Sequence, residues 1–363
     1  MTRSALDEHL RRNGVSRRRF LQFCAATAAT LGLPLDAVPA LAAAISAARR
    51  PSVIWLSFQE CTGCTESLTR SHNPTLESLI LEHVSLDYHH TLMAASGTAA
   101  EGARAAAEAE SAGDYLLLAD GSVPLKDGGI YSTIAGRTNL EMLQEAAKGA
   151  AAVIAIGSCA AYGGVPGAVP NPTGAVPIAR IVKDKPVVNV PGCPPIPTVI
   201  TGVLAHYLMF GAVPELDGLG RPLAYYSDTI HDRCYRRPFY DQGKFADSFD
   251  DEGARSGWCL FKLGCKGPTT HNACATTRWN DGASFPIQSG HGCLGCSEPG
   301  FWDAGSFYAP LSAPIHLDPA VTLSVAAAGA AAGAAMAIAN RRRKAAARQV
   351  HQPAAVADLE KPL

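Results

Sequence analysis

The chain has 363 residues, of which 47% are hydrophobic and 17% charged, so it can bury a sizeable core and is not expected to be disordered. Its net charge of −1, from 31 basic and 32 acidic residues, excludes the basic excess typical of nucleic-acid-binding proteins. The 11 cysteines are too many and too widely spaced for a small disulfide scaffold, which makes metal binding the first explanation.

The N-terminal residues 1–48 have the pattern of a twin-arginine signal peptide. Ser16-Arg17-Arg18-Arg19-Phe20-Leu21 precedes an apolar, alanine-rich run from Phe23 to about Ala48. A basic amphipathic helix is the alternative interpretation. Because this export route carries folded proteins, it suits a protein that receives a metal cofactor in the cytoplasm. Cys24 would be removed with this segment.

The C-terminal end predicts a membrane anchor. Residues 319–340 form an uncharged run, close to the roughly 20 residues that a transmembrane helix needs. The basic tail 341–363 begins with Arg341-Arg342-Arg343-Lys344, which the positive-inside rule keeps in the cytoplasm. The run is mostly Ala and Gly, so a soluble alanine-rich helix is the alternative. Together, the two ends predict a protein anchored on the periplasmic side of the inner (cytoplasmic) membrane.

Between these ends, residues 49–215 alternate strand and helix patterns. This alternation predicts an α/β fold, a flavodoxin-like doubly wound parallel sheet with ligands beyond the carboxyl ends of its strands. Residues 216–315 are rich in Gly, Pro and aromatic residues and lack periodicity, which predicts an irregular cluster-binding domain. The strand patterns lie at 53–56, 115–119, 151–156 and 186–190, and helical patterns at 76–83 and 140–148.

The ten remaining cysteines fall into three groups. The first group follows three of the predicted strands and offers the four thiolates of a 4Fe-4S cluster or of a zinc site. The second combines one imidazole with three thiolates, which suits a 4Fe-4S cluster or a Cys3His zinc. The third has three thiolates only, as a 3Fe-4S cluster requires. In chain order the groups are Cys61, Cys64, Cys159 and Cys193; His231, Cys234, Cys259 and Cys265; and Cys274, Cys293 and Cys296.

Two other uses of these cysteines are possible in principle. Five disulfides would pair all ten, but they give no reason for twin-arginine export, and close Cys-x2-Cys pairs make poor structural bridges. Several zinc sites would fit the spacing alone. The 4 + 3 + 3 partition uses every cysteine outside the signal peptide, and it predicts that Pro286 lies near the vacant corner of the three-iron cluster.

The motifs around these residues resemble the small subunit of NiFe hydrogenases, in a match that runs from about Val53 to Asp303. The resemblance implies a proximal 4Fe-4S cluster on the first group, a medial 3Fe-4S cluster on the third and a distal 4Fe-4S cluster on the second. The motifs that carry it are Glu60-Cys61-Thr62-Gly63-Cys64-Thr65-Glu66-Ser67, Gly157-Ser158-Cys159-Ala160, Pro191-Gly192-Cys193-Pro194-Pro195, His231-Asp232-Arg233-Cys234 and Gly290-His291-Gly292-Cys293-Leu294-Gly295-Cys296-Ser297-Glu298-Pro299.

The resemblance also implies a partner subunit and a direction of electron transfer. In this family the NiFe centre that splits H2 lies in a separate large subunit, so this chain would have no catalytic residue and be active only with that subunit. It would relay electrons from H2 oxidation to a membrane acceptor, a cytochrome b or the quinone pool. The alternatives are an iron–sulfur subunit of a related quinone-linked redox complex and an exported structural zinc protein.

Two positions depart from the pattern of oxygen-tolerant family members, and three other residues are expected to have surface or structural roles. Oxygen-tolerant members have extra cysteines around the proximal cluster, and the corresponding positions here are predicted to be Gly63 and Ser132, which implies an ordinary proximal cluster. His89 and His90 are expected at the surface. Glu60 flanks a proximal ligand, where a structural role is expected before a role in proton transfer.

Overall fold

The computed structural model describes residues 17–30, 34–39, 42 and 50–311. The chain divides into two compact units, residues 1–311 and 312–363, and every described residue belongs to the first. The predicted anchor 319–340, the basic tail 341–363 and most of the signal segment therefore lie outside the described residues. Within the described ranges, no helix has both the length and the apolar character needed to span a bilayer.

The centre of the first unit is a five-stranded parallel sheet. Its strands are β1 (Ser52–Ser57), β2 (Ser85–His89), β3 (Tyr115–Asp120), β7 (Ala150–Ile156) and β9 (Val187–Val190), and short pairs are formed by β4 (Val123–Pro124) with β8 (Ala175–Val176) and β5 (Thr133–Ile134) with β6 (Arg137–Thr138). The order across the sheet is β2-β1-β3-β7-β9, and every pairing is parallel. This is the flavodoxin-like order, so the predicted parallel-sheet α/β core is confirmed.

Helices and loops cover both faces of the sheet. Val53 and Trp55 point into one buried cluster, and Ile54 and Leu56 into the other, as the alternation of a strand requires. The helices are α1 (Arg17–Thr30), α2 (Gly63–Thr69), α3 (Leu76–Ser78), α4 (Gly97–Glu110), α5 (Asn139–Gly149), α6 (Gly157–Tyr162), α7 (Gly164–Gly167), α8 (Ile178–Ile181), α9 (Pro197–Phe210), α10 (Leu223–Tyr226), α11 (Arg237–Asp241) and α12 (Glu252–Arg255). Helices α4 and α5 pack on the face of Ile54, and α9 packs on the face of Trp55.

Beyond α9 the chain is irregular, as predicted. Residues 216–311 contain only α10 to α12 and single 3-10 turns at Phe261–Leu263, Gly267–Thr269, Ala273–Ala275 and Phe301–Asp303. Buried residues of this region, among them Tyr226, Leu260 and Phe285, belong to the same apolar cluster as Trp55 of the sheet. The irregular region therefore packs directly against one face of the sheet.

The structure differs from the sequence prediction at β2 and at His89. Ser85–His89 was not predicted as a strand, because this edge strand is only half-buried along most of its length. The helical pattern 76–83 is one α-turn, Leu76–Ser78, followed by a π-helical turn, Leu79–His83. The surface expectation is wrong for His89, which is fully buried at the end of β2 with its ring 4.9 Å from that of Trp55. It is right for His90, which is exposed.

Candidate metal centre

Three strand ends bring the first cysteine group together. Cys61 and Cys64 follow β1, Cys159 lies in α6 directly after β7, and Cys193 follows β9. The Sγ of Cys64 lies 3.8 Å from the carbonyl oxygen of Ile156, the last residue of β7. Because the carboxyl ends of parallel strands share one edge of the sheet, four residues distant in sequence form one group.

Glycines make room for these sulfur atoms. A Cβ on Gly157, where φ is +86°, would lie 2.4 Å from the Sγ of Cys64, and a Cβ on Gly164 would lie 2.4 Å from the Sγ of Cys159. Gly63 is also adjacent, with its Cβ position 3.1 Å from the Sγ of Cys61. Ser132 lies in the turn before β5, where its backbone bonds to Gly129 and Asn139, and its correspondence to one of the extra cysteines stays a prediction.

Acidic groups surround the proximal cysteines. Burial raises the pKa of the Cys64 thiol well above its usual value, and the carboxylate of Asp120 and the other three thiols of the group raise it further. Asp120 ends β3 and is fully buried, and burial raises its pKa to about 7. The pKa of Glu60 is also raised by burial. Anionic sulfur in this group would therefore be costly without a positive charge to compensate it.

The third cysteine group lines a cavity beside the first. Cys274, Cys293 and Cys296 surround about 510 Å3 of space together with Cys193 and Pro286. Burial raises the pKa of each of the three thiols to about 12. Pro286 lines the same space as the three cysteines, and its place near a vacant cluster corner stays a prediction.

Hydrogen bonds fix the medial cavity and tie it to the proximal group. The indole N–H of Trp279 donates to the Sγ of Cys274 at 3.4 Å. Ser158, next to Cys159, donates its hydroxyl proton to the carbonyl oxygen of Cys296 and accepts the backbone N–H of Gly192 at 3.0 Å. One serine side chain thus joins the loops that carry the proximal and medial cysteines.

The second group lines a separate cavity of about 330 Å3. Its walls include all four residues of the second group: His231, Cys234, Cys259 and Cys265. Burial lowers the pKa of His231, which keeps the imidazole neutral near pH 7 and leaves one ring nitrogen free to bind a metal. The ring of Tyr240 meets His231 edge-on, with centroids 4.6 Å apart.

The distal and medial groups share a wall. The backbone N–H of Cys293 donates to the Sγ of Cys265 at 3.3 Å, and the backbone N–H of Lys266 donates to the carbonyl oxygen of Cys293 at 2.7 Å. Together with the Ser158 link, these contacts arrange the three groups in series: proximal, medial, distal. Neither the series nor its linking residues was visible in the spacing of the cysteines.

The donor set fits iron–sulfur clusters. All 11 cysteines are described, and none of them forms a disulfide in this structure. In the part of the chain that the structure describes, no three His, Cys, Asp or Glu side chains lie close enough to hold a single metal ion. An iron–sulfur cluster does not need several side chains around one metal ion, because each thiolate binds a different iron atom of the cluster.

Several residues of the site escaped the sequence analysis. Asp120, Arg236 and Lys266 all contact or flank predicted ligands from within the fold. Ser158 lay within a recognised motif, but no role was predicted for it. For Lys266 the only sequence signal was adjacency to a cysteine. Asp120 carried a weak signal as a carboxylate at the end of a fully apolar strand.

Known proteins resemble this chain over both regions. Residues 226–309 match the family of the C-terminal region of the NiFe/NiFeSe hydrogenase small subunit, and residues 61–207 match the family of the 20 Kd subunit of NADH ubiquinone oxidoreductase. The solved NiFeSe hydrogenase of Desulfomicrobium baculatum superposes with a TM-score of 0.68 at 34% identity, covering 72% of this chain and 100% of that chain.

Full-length relatives are more similar in sequence. The uptake hydrogenase small subunit of Azotobacter vinelandii is 52% identical over 303 residues, 84% of this chain and 85% of the relative. The hydrogenase-1 small chain of Escherichia coli (strain K12) is 51% identical over 299 residues, 82% of this chain and 80% of the relative. On this identity and coverage, the chain belongs to the family of small subunits of NiFe uptake hydrogenases, which form the hydrogenase together with a large subunit.

Proposed function

We propose that this chain binds three iron–sulfur clusters and carries electrons from the large subunit to a membrane acceptor. The observation that carries the proposal is the series of three cysteine groups, joined through Ser158 and through the contact between Cys265 and Cys293. The proximal and distal groups would each hold a 4Fe-4S cluster, on Cys61, Cys64, Cys159 and Cys193 and on His231, Cys234, Cys259 and Cys265. The medial group, Cys274, Cys293 and Cys296, would hold a 3Fe-4S cluster.

When bound, the clusters would supply reversible one-electron oxidation and reduction. The chain's own residues hold and tune them. Trp279 and the backbone N–H of Cys293 donate hydrogen bonds to ligand sulfur atoms, which raises the potential by stabilising negative charge. The neutral His231 replaces one anionic thiolate at the distal site, which favours the reduced state there.

We infer that the large subunit packs on the edge of the sheet next to the proximal cysteines. Exposed apolar residues follow β3 and β7 there, among them Ile130 and Val165, which are 63% and 52% exposed. Phe210 offers a matched control, because it is also 52% exposed but ends α9. Val165→Asp is expected to weaken copurification with the large subunit and Phe210→Asp to leave it unchanged. The reverse result would contradict this placement.

Export and anchoring are proposed from the two ends of the chain. The twin-arginine pattern would direct the folded chain to the periplasmic side, and residues 319–340 would hold it on the inner membrane, next to a cytochrome b or the quinone pool. Replacing Arg17 and Arg18 with Lys is expected to leave the hydrogenase in the cytoplasm. Export of the double variant at the normal level would contradict the proposal.

Metal analysis of the anaerobically purified heterodimer tests the cluster assignment. We expect about eleven irons per small subunit, the sum of two 4Fe-4S clusters and one 3Fe-4S cluster, with matching acid-labile sulfide. The oxidised protein should give the EPR signal of a three-iron cluster. Zinc in place of iron, or no labile sulfide, would overturn the assignment and support a structural zinc protein.

A further inference from the structure

Four lysine and arginine side chains are buried among the described residues, and they differ in whether a carboxylate pairs with them. Arg104 and Arg221, each 4% exposed, are held by two or more carboxylates. Arg236 and Lys266, each 7% exposed, form no ion pair with any carboxylate of the described part of the chain. Buried charge is costly unless an opposite charge compensates it, so the second pair needs an anion that the carboxylates do not provide.

Arg236 points its charge at the distal group. Its backbone N–H donates to the Sγ of Cys234 at 3.4 Å, and its side chain lines the distal cavity. The guanidinium is held by neutral acceptors only: Nε donates to the hydroxyl of Tyr235 and a terminal nitrogen to the carbonyl oxygen of Trp258, both at 2.8 Å. These hydrogen bonds therefore fix the position of the guanidinium group but do not neutralise its charge.

Lys266 lies between the distal and medial groups. It follows Cys265 directly, and its backbone N–H donates to the carbonyl oxygen of Cys293 at 2.7 Å. Its ammonium donates to the carbonyl oxygen of Ala309 at 2.7 Å, which again leaves the charge uncompensated. The positive charge of Arg236 acts on Cys234, Cys259 and Cys265, and that of Lys266 acts on Cys265.

The proximal end has the opposite charge pattern. Its buried or half-buried ionisable neighbours are the carboxyl groups of Asp120, whose charge acts on Cys64, and of Glu60, whose charge acts on Cys159. The cation nearest in sequence, Arg70, has a side chain that is 57% exposed and paired with Glu66. Fixed charge therefore changes from acidic to basic along the series of cysteine groups.

We propose that Arg236 and Lys266 are the counter-charges of the distal cluster, and that they raise the reduction potential of that end above that of the proximal end. This inference rests on the proposed function. Each cluster gains one negative charge on reduction, so a fixed cation nearby stabilises the reduced state and a carboxylate destabilises it. Electrons from the large subunit would then move downhill toward the distal site, which is the direction of H2 uptake. Both residues are positioning residues, because their charge acts through the clusters.

The test is a redox titration of the heterodimeric holoenzyme, followed by EPR of each cluster. In Arg236→Gln, the ratio of reduced to oxidised distal cluster at a fixed solution potential is expected to fall about tenfold, which is 59 mV for a one-electron couple. Lys266→Met is expected to lower the same ratio at the distal site. Arg233→Gln is the matched control, because Arg233 lies in the same segment but is 60% exposed and paired with Asp228. Water should screen the loss of its charge.

Iron and labile sulfide are measured in every variant, so that the loss of a cluster can be distinguished from a change in its potential. Intact clusters with unchanged potentials in both neutral variants would overturn the inference and leave the proposed function standing. If the neutral variants lose the distal cluster, Arg236→Lys and Lys266→Arg decide, because they keep the charge. If these two variants retain the distal cluster at the wild-type potential, the inference is supported. If they also lose the distal cluster, the inference is overturned. Absence of the clusters from the wild-type protein would instead refute the proposed function.

Discussion

The sheet region and the irregular region hold their cysteines by different means. In residues 50–210, strand ends place the proximal ligands, and the backbone hydrogen bonds of parallel strands fix those ends without any metal. In residues 216–311, no described helix exceeds the five residues of Arg237–Asp241, and the ligands sit in loops. This difference leads us to expect that the fold alone positions the proximal site, whereas the proposed medial and distal clusters would help to order the loops around them.

The largest effect is expected from removing the metal. In chain prepared without clusters, backbone amides of β1, β3 and β7 should keep slow hydrogen exchange, because their hydrogen bonds are buried within the sheet. Amides between residues 228 and 300 should exchange fast, since few regular hydrogen bonds protect them. Exchange measured by mass spectrometry checks this contrast. Equal protection of both regions would show that the loops are ordered without metal.

A single methyl group should remove the proximal cluster. In Gly157→Ala, the new Cβ would lie 2.4 Å from the Sγ of Cys64 at a φ of +86°, so the ligand must shift. We expect the loss of about four irons per chain, the content of one 4Fe-4S cluster, with the medial signal retained. Gly113→Ala is the matched control, because Gly113 has the same φ of +86° and open space around its Cβ position. Similar iron loss in both variants would mean that backbone strain is responsible.

A cysteine at the medial cavity should change the cluster type. Pro286 lines the cavity that holds Cys274, Cys293 and Cys296, so Pro286→Cys offers a fourth thiolate. The expected result is loss of the three-iron EPR signal from the oxidised protein and a gain of about one iron per chain. Gln288→Cys, two residues away and exposed, should leave the signal unchanged. An unchanged signal in Pro286→Cys would contradict the proposed vacant corner.

A smaller, pH-dependent effect is expected at the buried His89. Burial lowers its pKa to about 4, so below the ordinary value of about 6.5 the unfolded chain binds a proton that the folded chain does not. The stability of β2 should therefore fall as the pH falls, by about 2 kcal/mol at pH 5. Exchange of β2 amides at pH 7 and pH 5 measures this. His89→Gln should abolish the dependence, and the exposed neighbour variant His90→Gln should keep it.

Much of the sheet was predictable because its signal is local. The apolar runs at 53–56, 115–119 and 151–156 became strands within one residue of their predicted ends, since buried parallel strands need continuous apolar sequence. The edge strand β2 and the buried His89 were missed. Their signal is not local, because the neighbours that cover them come from other parts of the chain.

The sequence by itself determined which residues could bind metal and, through the resemblance, to which family the chain belongs. Only the tertiary structure decided how the three groups are joined, that Gly164 lies against a proximal sulfur, and that Arg236 and Lys266 are buried without carboxylate partners among the described residues. The physical reason is that ligand identity is a property of single residues, whereas contact and burial arise when distant segments pack together. The electrostatic environment of each group is therefore set by folding.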